Sequence, residues 1–219
     1  SGAGKAREVG LEGLDRPAAG LVGKPATGDV GGTYVRVAGQ PRAWLVSGEL
    51  ERHERVGDWL DARLVDIPAE RVRRLRIDAV DGEPVIVSRP EGPEGGFALN
   101  LPEGRRPLSK SIARSLARVV ADLRLDDVQP AAQAPELPRL ATARFETYSG
   151  LVIEIRSHAR ERSPDAPALV RLRASARDDA GEAVREQAQA LNARYEGWVY
   201  ELPRYKFVNV SQRLASVLE

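Results

Sequence analysis

A chain of 219 residues, 42% hydrophobic and 30% charged, has ordinary globular usage and enough length for one large or two small domains. Wholesale disorder is excluded, as is any need for a metal or disulfide to hold a core. The 33 basic residues nearly cancel the 32 acidic ones, leaving +1, so any basic surface must be local. Cysteine is absent, which removes disulfides, thiolate nucleophiles and thiolate metal sites. Methionine is absent too, and the opening Ser-Gly reads as the scar of a cleaved tag, so the chain is expected to be an excised fragment.

Residues 1–31 are rich in Gly, Ala and Pro and lack sustained periodicity, which predicts a flexible lead-in with one short strand near Leu21 and Val22. A first strand-rich module is expected over 32–125. It opens with a hairpin, Tyr34 to Val37 and Ala43 to Ser47, turning at Gly39-Gln40-Pro41. Val56, Trp59, Leu60 and Leu64 have helical spacing, and Pro68 prevents continuation. Strands then follow at Val72 to Ile77 and, after an Asp81-Gly82 turn, at Pro84 to Ser88, with a third in "GGFALNL" at 95–101. Ser109 or Ser111 is placed to cap a helix whose Ile112, Leu116, Val119, Val120 and Leu123 share one apolar face.

A Pro/Ala-rich connector over 126–140 leads to a second α+β module, 141–219. It begins with a hairpin about Ser149-Gly150, where Leu151, Ile153 and Ile155 alternate with Glu154 and Arg156. "ALVRLRASAR" alternates as well, with Val170, Leu172 and Ala174 inward. A helix from Gly181 to Tyr195, a strand "GWVYEL" and an amphipathic end carrying Phe207, Val210, Leu214 and Leu218 complete the chain. The expected fold class is therefore α+β, mainly antiparallel sheet with amphipathic helices on one face. The two series share the order strand-strand-strand-helix, which suggests repeated modules, although that order also arises by accident in α+β chains.

Catalytic motifs fail on inspection. "GAGKA" and "GLVGKPATG" each lack part of a P-loop, either the Ser or Thr after Lys or the closing Gly, and "GPEGG" reads as a turn. His53 and His158 have no partner at metal-ligand spacing, and no Gly-x-Ser-x-Gly elbow aims a serine. Asp126-Asp127 and Asp178-Asp179 read as turn or cap residues. No catalytic residue, cofactor or metal is expected. Arginine carries the sharper question: Arg73, Arg74, Arg76, Arg171 and Arg173 are the candidate contacts for an anion or a partner if their strands share a sheet. The favoured reading of the same residues is the solvated outer face of a half-exposed sheet. Missing aromatics among them argue against nucleic acid. Trp44, Trp59 and Trp198 sit among aliphatics and are expected in the core.

"GGTYVRVAGQPRAWLVSG", "WLDARLVDIPAERVRRLRI", "FETYSGLVIEI" and "WVYELPRYKFVNVSQRLASVL", taken in that order, resemble domain-of-unknown-function family 4340. The residues that carry the resemblance are Tyr34 to Arg36, Trp44 to Val46, Trp59 to Pro68 with Val72 to Ile77, and Trp198 to Tyr205, within about residues 20 to 218. The resemblance implies a bacterial envelope protein, held by an N-terminal membrane helix absent from this fragment, with its bulk in the periplasm. It also implies neighbourhood with ABC-transporter components of the gliding-motility type, and it assigns no catalytic residue. The expected function is thus a non-enzymatic periplasmic domain of a membrane-anchored accessory protein, acting by protein–protein contact with a permease or another envelope protein. Two rivals remain open: a hydrolase or carbohydrate-processing enzyme, and an anionic lipid or polyanion binder using the arginine strands.

Overall fold

A computed structural model describes residues 7–11, 18–26, 31–47, 62–160 and 168–219. The chain divides into two compact units, Ser1–His53 and Glu54–Glu219. Strands from both sides of residues 126–140, where a connector between modules was expected, share one sheet. Within the first 31 residues, where a lead-in with one short strand near Leu21 and Val22 was expected, β1 (Arg7–Leu11) and β2 (Ala18–Pro25) pair antiparallel. With β3 (Thr33–Val37) and β4 (Ala43–Val46) they make a four-stranded meander, and the β3–β4 hairpin is the one expected from Gly39, whose φ is +79°.

The second unit is built on an eight-stranded sheet. Its order is β10 (Asp127–Pro130), β14 (Trp198–Glu201), β13 (Leu169–Ala176), β12 (Leu151–His158), β11 (Arg139–Thr147), β6 (Val72–Ala79), β7 (Val85–Ser88) and β8 (Ala98–Leu99). Every pairing is antiparallel. Period-two patterning dictates the faces. Leu75, Ile77, Val85, Val87, Ala143, Phe145, Ile153, Ile155 and Val170 are fully buried on one side, and their strands share a core cluster with α1 (Ile112–Ala117), α2 (Glu182–Tyr195) and α3 (Arg204–Val210). The helices pack on β6 to β8, on β12 and β13, and on β11 and β12 respectively. An α+β class with mainly antiparallel strands is therefore observed.

Two elements differ from the pattern in the sequence. Arg63–Val65 forms β5, paired with β9 (Leu123–Arg124), where a helix reaching Leu64 was expected; the remainder of that helix, 56–61, lies outside the described residues. The helix expected to run to Leu123 is α-helical only to Ala117, tightens into a 3-10 turn over Arg118–Val120 and stops at Asp122, whose φ is +46°. Buried Lys206 explains the stop, since its Nζ donates to the carbonyl oxygens of Val119 at 2.7 Å and Ala121 at 3.1 Å and so satisfies the helix end. Burial holds the Lys206 ammonium below the usual lysine range. Leu123 remains fully buried, so the apolar row fills the core although its backbone has changed type.

The β11–β12 turn closes tightly. Thr147 Oγ1 donates to the Leu151 carbonyl at 3.0 Å and accepts from its N–H at 2.9 Å, and Gly150 takes φ +92°. A Cβ on Gly150 would lie 2.8 Å from the Ala180 Cβ. Gly150→Ala is expected to cost about 2 kcal/mol or more, from left-handed strain plus overpacking, read as a lowered urea midpoint at unchanged slope.

Candidate interaction surface

Opposite the core, the sheet exposes a lattice of charge whose rows follow from strand register. One row runs Arg74, Glu146, Val152, Ser175, the next Arg76, Arg144, Glu154, Arg173, and a third Asp78, Thr142, Arg156, Arg171. Six arginines thus face three carboxylates. Of the candidates named from sequence, Arg74, Arg76, Arg171 and Arg173 meet on this face, whereas Arg73 sits at the register shift between Val72 and Arg74, near Asp179. Sequence reasoning did not single out Arg144 and Arg156 as contacts, yet they fill the strands between; the alternation Ala143-Arg144-Phe145 carried the signal for the first.

Three of the six are ion-paired, two of them to one shared carboxylate. Arg76 holds Asp78 through Nε at 2.8 and 2.9 Å and through Nη2 at 2.6 Å, and that hydrogen-bonded pair raises the Arg76 pKa further above its usual value. Glu154, half-buried, lies 2.7 Å from Arg156 Nη2 and 3.8 Å from Arg144 Nε. Arg74, Arg171 and Arg173 are exposed and make no ion pair among the described residues. Register places Arg171 directly opposite Arg156, a like-charge pairing that costs about 0.2–1 kcal/mol where nothing bridges it. At the end of the face, Arg177 donates to Asp179, which holds the Asp179 carboxyl below the usual carboxylate range.

Connector residues 131–137 cover one corner of this face, leaving a cavity of about 680 Å³ lined by Glu136, Leu137, His158, Leu169 and Arg171. His158 donates from Nδ1 to the Leu137 carbonyl at 3.1 Å, which fixes the ring tautomer and leaves Nε2 buried without a partner. His53 lies outside the described residues. Among the described residues no group of three His, Cys, Asp or Glu side chains is placed to hold a metal, and no helix is long and apolar enough to cross a membrane. "GPEGG" forms turns, as its composition predicts, and Arg89 braces them by donating to the carbonyls of Gly95 and Ala69 while stacking 4.1 Å from the Phe97 ring.

The tryptophan expectation is corrected. Trp44 is 47% exposed on β4, every residue of which is exposed, and the Arg42 guanidinium lies 4.1 Å over its ring. Trp198 is 44% exposed at the mouth of a second cavity, about 290 Å³, lined by Leu64, Leu125, Val128, Arg194, Tyr195 and Tyr200. Trp59 lies outside the described residues. Tyr195 and Tyr200 do what the tryptophans were expected to do: they pack edge to face at 6.4 Å, with their hydroxyls donating to the Leu64 and Arg194 carbonyls.

Fold and surface together define an α+β module, its sheet covered by helices on one side and open, with arginines, on the other. The family model described as domain of unknown function (DUF4340) matches residues 10–141, more than half of the chain, and the chain belongs to that family. The Trp198 to Tyr205 segment lies beyond that match. No curated protein and no solved structure matches the chain significantly.

Burial pushes the Tyr195 hydroxyl far above the usual tyrosine value of 10.0 and raises Tyr200 as well. Raised folded-state values mean the unfolded chain loses these protons first, so the stability they confer is complete below pH 10.0 and falls as pH rises above it. Tyr195→Phe is expected to cost about 1 kcal/mol at neutral pH, from the carbonyl left without its donor. It should also flatten the alkaline fall, both effects being measured by urea unfolding across pH.

Proposed function

We propose that this chain is a non-enzymatic periplasmic module, tethered to the inner membrane in the full-length protein, that contacts an ABC-transporter-type envelope complex through protein–protein interaction. The arginine-bearing outer face is the contact surface and an acidic patch on the permease or a neighbouring envelope protein its complement. The observation that carries this reading is Arg171 opposite Arg156, with Arg171, Arg74 and Arg173 making no ion pair among the described residues. A merely solvated face gains nothing from retaining that repulsion, whereas an acidic partner removes it. Membership in the family supports the envelope setting. The lack of aromatics among the outward residues of these rows favours protein over nucleic acid.

The sheet order also supports reading the two halves as repeated strand-strand-strand-helix modules. β6-β7-β8 and β11-β12-β13 are meanders joined through their first strands, each followed by a helix. In that reading Arg76 and Arg144, directly opposite each other, are equivalent positions.

The test is crosslinking in membranes carrying the full-length protein. A transporter subunit should be captured by the wild type and lost with Arg74→Glu, Arg171→Glu and Arg173→Glu combined, at unchanged circular dichroism. Capture should weaken with salt, as contacts between exposed charges do. Retained capture in the triple variant, or membranes yielding no transporter subunit, would overturn the proposal. Vesicle binding by the isolated domain, abolished in the same variant, would replace the protein partner with an anionic lipid surface.

A further inference from the structure

The β3–β4 hairpin of the first unit is apolar on both of its faces. Register sets Tyr34 beside Leu45 on one face, and Val35 beside Trp44 and Thr33 beside Val46 on the other. Tyr34, Val37, Trp44, Leu45 and Val46 are exposed, as is every residue from Arg36 to Ser47. The charges here are Arg36 and Arg42 alone, since residues 31–47 contain no Asp or Glu in a chain that has 32 of them. Neither arginine makes an ion pair among the described residues, and Arg42 lies instead over the Trp44 ring. We propose that this hairpin docks into the headgroup layer of an anionic lipid surface.

A protein laid against one face would leave the other in water, and a strand added at the β4 edge would cover neither, whereas a layer that the hairpin enters surrounds both. The side-chain types agree with that environment. Trp and Tyr concentrate where hydrocarbon meets water, and arginines are drawn to the phosphates of an anionic leaflet. With its guanidinium 4.1 Å over the Trp44 ring, Arg42 sets a cation and an amphipathic ring at one depth. The edge itself points the same way. β4 ends its sheet and holds no proline, charge or bulge, although an open apolar edge in water invites stray pairing. β10, which ends the large sheet, is blunted: Asp127 Oδ1 accepts from the Val128 N–H at 2.8 Å, and Pro130 has no N–H to offer. At headgroup depth the open N–H groups of β4 meet phosphate and water, so that strand needs no such device.

The intact chain is cosedimented with vesicles of phosphatidylcholine alone or mixed with phosphatidylglycerol, and a version with Trp59→Phe and Trp198→Phe leaves Trp44 as the one tryptophan emitter. Only the mixed vesicles are expected to carry the chain down, to shift Trp44 emission to the blue and to let brominated acyl chains quench it. Arg36→Gln with Arg42→Gln should weaken binding about thirtyfold, as two arginines at an anionic surface predict. Trp44→Ser with Leu45→Ser should abolish it, and if that variant does not fold the arginine pair decides. Binding should survive Arg74→Glu, Arg171→Glu and Arg173→Glu combined, so this reading and that of the sheet face can fail separately. Loss of binding in that triple variant would assign it to the sheet face and overturn the proposal. It is equally overturned if phosphatidylglycerol makes no difference, or if the Arg36 and Arg42 variant binds unchanged. Trp44 emission that is already blue without vesicles and unmoved by them identifies a protein cover for the hairpin, and overturns it too.

Discussion

The antiparallel pairing of β6 with β11 is the constraint on which the second unit depends. It sets Leu75 against Phe145 and Ile77 against Ala143, all fully buried, and so fixes which side of two whole meanders turns toward the helices. Slipping the register by one residue would carry Phe145 to water and Arg144 into the core. The same pairing sets Arg76 opposite Arg144, and the structure bridges both with acids, Asp78 on one and Glu154 on the other. Inner packing and outer charge are two results of one register.

Elsewhere the molecule spends side chains on finishing its edges. β14 pairs with only two residues of β13, and where that pairing ends, Asn192 of α2 completes the ladder by bonding both the N–H and the carbonyl of Ala174 at 2.8 Å. Lys206 does the same for the 3-10 turn after α1. Asp122 lies against Arg63 and Arg124, which β5–β9 pairing forces opposite one another. Against these satisfied groups, Arg74, Arg171 and Arg173 of the sheet face and the Arg213 Nε–H stand out as donors for which the described residues supply no acceptor.

Much of the second unit is legible in its residues. Strands β6, β7, β11, β12 and β13 follow from alternation and from turns at Asp81-Gly82 and Ser149-Gly150, and α2 matches its pattern closely. Leu123 shows where legibility stops: its helical spacing is real, yet Lys206, 83 positions later, takes the helix's last carbonyls and Val65 offers a strand partner. Arg63–Val65 changed type for the same reason. Apolar spacing states that a side chain is buried; the backbone state that buries it is settled by distant partners.

Sequence alone determined which residues of each long strand face inward and which outward, because side-chain direction alternates locally and needs no knowledge of the neighbours. It also determined that no catalytic pattern is written in a contiguous motif. Tertiary structure alone decided that Arg74, Arg76, Arg144, Arg156, Arg171 and Arg173 share one face, since strand order in a sheet is a non-local choice. It decided that Trp44 and Trp198 are half exposed, because burial needs a covering layer that composition cannot supply.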